Sequence, residues 1–210
     1  MSTFRLASTT AVFVALLATP LSRAAIANAQ APAPSAAPVL DARSAAHVRD
    51  AYLKDLDTLH AKILGLANAI PADKYSWRPA KGVRSISEAL MHVASEWYVY
   101  TPLSIGSTAP DDFVPKTTTA AAHRDAMNKK LADMEKTTDK AAVLAELDRS
   151  WKYCRGQLLA AKPAELTAAY KPWGMPLDNA AFVMVDDLHE HLGQLIAYAR
   201  SVGVTPPWSK

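Results

Sequence analysis

Cysteine is nearly absent from this chain. Cys154 is the single one among 210 residues, so no disulfide can form within the chain. It reads as a half-buried helical thiol rather than a nucleophile. Glycine is scarce too, with seven residues. No glycine-rich phosphate loop and no G-x-S-x-G elbow occurs, which removes those routes to nucleotide binding and acyl transfer. Alternating β-branched runs and Asn-Gly turns are missing, so strand signals are almost nil. A strong charge of one sign is also lacking. The formal net charge is +3, too little to suggest nucleic acid as a partner.

The one long apolar run is at the start. Arg5 precedes "LASTTAVFVALLATPL", and Ala27-Asn28-Ala29 gives a small-x-small pattern. This predicts a secretory signal peptide over 1–29, and hence a periplasmic or extracellular protein. The run is short and broken for a membrane span, so no stable membrane insertion is expected after cleavage. An uncleaved anchor is the alternative. Removing 1–29 takes away Arg5 and Arg23 and no acid, which lowers the formal charge to +1. The tract 30–44 is Pro/Ala-rich and reads as a tether. A single domain is expected over 45–208.

Helical periodicity fills that domain. Val48, Tyr52, Leu56, Leu59, Ile63 and Leu66 recur at three- and four-residue steps, up to Pro71. Ser85 and Glu88 form a capping box that opens a second helix, with Ile86, Leu90, Val93 and Trp97 on its apolar face and Pro102 beyond its end. A shorter helix is expected within 117–136 and a longer one within 139–162, closed by Pro163. The last runs from an Asp178 N-cap to near Gly203, with Val183, Met184, Leu188, Leu195 and Tyr198 on its stripe. The fold class is therefore all-α, a four-helix bundle. A homodimer is open to such a bundle, although no apolar stripe is visibly surplus.

Sites in bundles are built from polar residues that share a face with the apolar stripes. In "DDLHEHLGQLIAYAR", 186–200, Asp187 and His191 are one turn apart and have metal-ligand spacing. His189 sits about 200° around the helix from His191, at roughly 100° per residue, so the two do not point into one site. On the second helix His92 is flanked by Leu90 and Val93, with Glu88 and Glu96 one turn to either side. A core histidine with a hydrogen-bonded ring is the simpler reading of His92 alone; the second pair on another helix makes the ligand reading its equal. Glu88 or Glu96 would then orient a ligand or move a proton. His60, one position off its stripe, reads as solvated or at a rim. His47 and His123 read as exposed. The tryptophans read as core and lid packing, with an aromatic pocket as the alternative.

The pairing of "WRPAKGVRSISEALMHVASEW" with "HEHLGQLIAYARSVGVTPPW" resembles the DinB/YfiT-like superfamily of metal-binding four-helix bundles, over roughly 45–208. The resemblance implies three histidine ligands, one from the second helix and two spaced H-x-x-x-H on the last. Those positions fall on His92, Asp187 and His191, so one expected histidine is an aspartate. A site of two histidines and one carboxylate still suits zinc or nickel, with manganese or iron as further options. His189 could substitute only if the helix distorts. The resemblance also implies small-molecule substrates, with low-molecular-weight thiols among them. The expectation is an exported metal-dependent transferase or hydrolase. A non-catalytic bundle that binds a ligand or partner is the alternative, and a non-haem iron oxygenase is a narrower third reading.

Overall fold

The computed structural model describes residues 40–99, 110, 120–162, 166 and 177–209. The leader read over 1–29, Pro102, Pro163 and Trp173 lie outside the described residues, as does the side chain of His123. Among the described residues there are five α-helices and no strand: α1 (Ala42–Ala69), α2 (Ile86–Tyr98), α3 (Ala120–Met134), α4 (Lys140–Ala160) and α5 (Leu177–Ser201). No described helix is long and apolar enough to cross a membrane.

Each helix starts and stops for a local reason. Asp41 caps α1 by accepting the Ser44 N–H at 2.8 Å, so the helix begins inside the tract read as a tether. Lys140, at the start of α4, donates to the Asn68 and Ile70 carbonyls at the end of α1. The capping box of α2 is formed: Ser85 Oγ accepts the Glu88 N–H at 3.3 Å, and the Glu88 carboxylate accepts the Ser85 N–H at 2.7 Å. Asp139 caps α4 through the Ala142 N–H. α5 starts one residue before the expected Asp178 cap, whose carboxylate instead accepts the Asn179 N–H within the first turn. It ends as expected. Gly203 takes a positive φ of 81°, its N–H reaches the Arg200 carbonyl, and the Val204 N–H reaches that of Ala199. That double closure needs a left-handed residue, which glycine supplies without a Cβ clash.

Four helices form a ring. α1 packs on α5 and α4, and α2 packs on α4 and α5; α3 lies against α2. Leu56, Leu59, Ile63, Ile86, Leu90, Val93, Trp97, Leu147, Leu188 and Leu195 fill the centre. Burying each such side chain is worth about 1.5–3 kcal/mol. One expected stripe position is misplaced: Val183 is 41% exposed, whereas Ala181, Met184 and Leu188 are buried. Val183 lies about 100° from Met184 on the helix and so misses the core. Contacted by α3, α4 and α5, α2 is buried almost all round, so its polar residues are drawn into protein surroundings.

Candidate metal centre

Three side chains from two helices meet at one point. His92 and Glu96 come from α2, one turn apart, and His191 from α5. One ligand atom from each lies within 4.8 Å of the others, and together they could hold a metal ion. Both imidazoles turn Nε2 toward the same carboxylate oxygen. His92 Nε2 is 3.1 Å from Glu96 Oε1, and His191 Nε2 is 3.3 Å from it. The two rings meet edge to face, with centroids 4.9 Å apart.

The donor set fits a divalent cation. Glu96 is only 4% exposed, and its second oxygen, Oε2, is buried with no hydrogen-bond partner. A buried carboxylate needs a compensating charge. Burial by itself would push the Glu96 carboxyl up; the imidazoles of His191 and His92 outweigh it and hold the group at about 2. Glu96 is thus ionised and ready to act as a ligand. The same contact raises His191 above its ordinary value, against the effect of burial.

The far ring nitrogens are held as well. His191 Nδ1 is 3.3 Å from Gln194 Oε1, and Gln194 Nε2 donates to the Tyr198 hydroxyl at 3.0 Å. Trp77 packs edge-on against the Tyr198 ring. Because its amide nitrogen is engaged with Tyr198, Gln194 offers His191 an acceptor. With the Nδ1 proton held there, Nε2 is the nitrogen that a metal ion could take in place of its proton. His92 Nδ1 lies 3.3 Å from Glu135 Oε1. Gln194 lies three residues past His191, on the same helix face. Glu135, just past α3, carries no spacing signal that links it to His92.

The other sequence-derived residues lie around this point or away from it. Asp187 sits at the rim, its Oδ1 4.0 Å from His191 Nε2 and its side chain 41% exposed. Burial, and then the nearby Glu96 charge, push its carboxyl up to about 6. Glu96 therefore occupies the central carboxylate place that spacing suggested for Asp187. Its longer side chain reaches between the rings from α2, while Asp187 projects from the turn before His191. Glu88 is spent elsewhere, on the α2 cap and on Arg78 at 2.6 Å. His189 points to α1 and pairs with Asp55 at 3.0 Å, so it does not substitute as a ligand.

His60 departs from the solvated reading. Its ring stacks on Trp151 at 5.1 Å and meets Trp97 at 5.5 Å, and burial lowers its pKa. Trp97 and Trp151 thus flank His60. His47 is exposed, as read.

An all-helical ring with two imidazoles and a buried carboxylate between facing helices is a bundle that could hold a metal ion. The chain belongs to the DinB superfamily, whose family model matches residues 55–195. Neither a curated protein nor a solved structure matched the chain.

Proposed function

We propose that this protein is an exported, divalent-metal-dependent enzyme of the DinB superfamily, a transferase or hydrolase acting on a small molecule. The observation that carries the reading is the convergence of His92, Glu96 and His191 on one point, with a buried, unpartnered Glu96 Oε2. His92, Glu96 and His191 hold the ion, with Asp187 at the edge of reach. Two nitrogens and a carboxylate favour zinc or nickel, with manganese or iron as further candidates. Such an ion would supply Lewis acidity toward a water or a thiol. The chain's own residues do the rest. Gln194 and Tyr198 fix the His191 ring. Asp187, at the partly exposed rim beside His191, is placed to accept a proton from the substrate. Glu88 takes no part, since the α2 cap and Arg78 engage it. Export is supported by the Arg5 n-region, the apolar run and the Ala27–Ala29 pattern.

The test is metal analysis of untagged protein, with His92→Ala and His191→Ala beside it. About one equivalent of metal in the native protein, lost in both variants, is the expected result. No bound metal, or metal undiminished in the variants, overturns the reading.

A second reading rests on a specific observation. Glu96 Oε1 already sits between both Nε2 atoms at pairing distance, so the cluster can satisfy itself as a polar core of a non-catalytic binding bundle. That reading predicts no rise in melting temperature with zinc or nickel.

A further inference from the structure

We infer that Glu135, braced by Arg84, is a positioning residue for His92 and couples metal occupancy to the docking of α3 on α2. The inference rests on the reading of His92 as a ligand.

The His92 ring lies between two carboxylates. Nε2 faces Glu96 at 3.1 Å, and on the opposite side of the ring Nδ1 faces Glu135 Oε1 at 3.3 Å. An imidazole ligates through one nitrogen and carries its proton on the other. An acceptor at Nδ1 therefore selects Nε2 as the ligating atom, and a charged acceptor makes that atom a better donor. The same Glu135 oxygen lies 3.0 Å from Arg84 Nε. Arg84 immediately precedes the Ser85 cap of α2, so the brace and the ligand belong to one rigid segment. His191 has the equivalent arrangement with a neutral acceptor, Gln194, braced by Tyr198. Each histidine thus has a held acceptor at Nδ1, and the one for His92 is brought by a separate helix.

Stability of the Arg84–Glu135 pair does not account for this geometry. Both side chains are partly exposed, at 41% and 25%, and such pairs contribute little. Among the described side chains, Met127, Leu131 and Met134 of α3 pack on the apolar core. Linkage makes the consequence reciprocal: if Glu135 strengthens metal binding by some factor, the metal strengthens the placement of Glu135, and of α3, by that same factor.

Zinc affinity, measured by competition with a chromophoric chelator, tests the positioning role. The set is the wild type, Glu135→Gln, Glu135→Ala and His92→Ala. Glu135→Ala should bind zinc about 10–100-fold more weakly. Glu135→Gln keeps a neutral acceptor, as Gln194 does for His191, and should recover part of that loss. Hydrogen exchange across 120–134 should slow on adding zinc to the wild type and not to Glu135→Ala. A purely structural role predicts a lower melting temperature in the metal-free Glu135 variants with zinc affinity unchanged, and that result overturns the inference. Unchanged affinity in Glu135→Ala while His92→Ala loses zinc removes this inference alone. Zinc binding undiminished in His92→Ala removes the ligand reading and this inference with it.

Discussion

Replacing Glu96 by Gln probes the electrostatics at the centre of the bundle. Burial and imidazole contact together take the carboxyl from 4.5 to about 2. At about 1.4 kcal/mol per pH unit, that corresponds to roughly 3–4 kcal/mol of preference for the ionised form. Glu96 is 4% exposed, so solvent screens little of it. The rise at His191 reports the same attraction and is not counted twice. Asp187 works the other way: the Glu96 charge helps push its carboxyl up, and removing that charge relieves it. Roughly 3–4 kcal/mol is therefore a ceiling. The signs define a window. Glu96 has a depressed folded value, so its contribution is present above about pH 4.5 and is lost as the pH falls toward 2. His191 has a raised folded value, so its contribution is complete below pH 6.5 and is lost as the pH rises through that raised value. The wild type should exceed Glu96→Gln in stability most between about pH 4.5 and 6.5. The difference should shrink on both sides. The assay is urea unfolding of chelator-treated protein at a series of pH values; by melting temperature the ceiling is about 6–16 °C. A wild-type advantage that is flat across pH, or a more stable Gln variant near pH 5.5, refutes the reasoning.

Other substitutions test other parts of the structure. His60→Phe should flatten the acid side of the stability curve: burial depresses the folded pKa of His60, so the wild type loses stability as the pH falls below 6.5, and a phenyl ring does not. Melting curves at pH 5 and pH 8 read this, and equal slopes in the two proteins would count against it. Gly203→Ala should cost about 1 kcal/mol. The cost is one of backbone conformation alone, since φ is 81° and nothing lies within 4 Å of where a Cβ would stand; denaturant midpoints give the value, and no loss contradicts the closure described for α5. Ser85→Ala should also cost about 1 kcal/mol by opening the α2 capping box, seen as a fall of about 2–4 °C in melting temperature. An unchanged melting temperature would mean that the bonds from the first turn to the Trp77 and Tyr75 carbonyls suffice.

Much of the fold was legible because helix periodicity and caps are local signals. The Ser85–Glu88 box, the Leu56–Leu59–Ile63 stripe and the Gly203 stop each need only a few consecutive residues to be read. Errors arose where burial depends on what lies opposite. His60 is one position off its stripe, yet Trp97 and Trp151 from two other helices enclose it. Val183 looks like core but falls on the outer edge of α5.

The sequence by itself determined the class of the protein and two of the three residues at its centre. Four-residue spacing alone puts Glu96 on the His92 face and Asp187 on the His191 face. Which carboxylate stands between the rings was decided by the tertiary structure. It depends on how far each side chain projects across the gap between α2 and α5, and periodicity within one helix carries no information about that gap. The place of Glu135 was decided in the same way. It lies 43 positions from His92 in the chain, and only the packing of α3 on α2 brings the two within 3.3 Å.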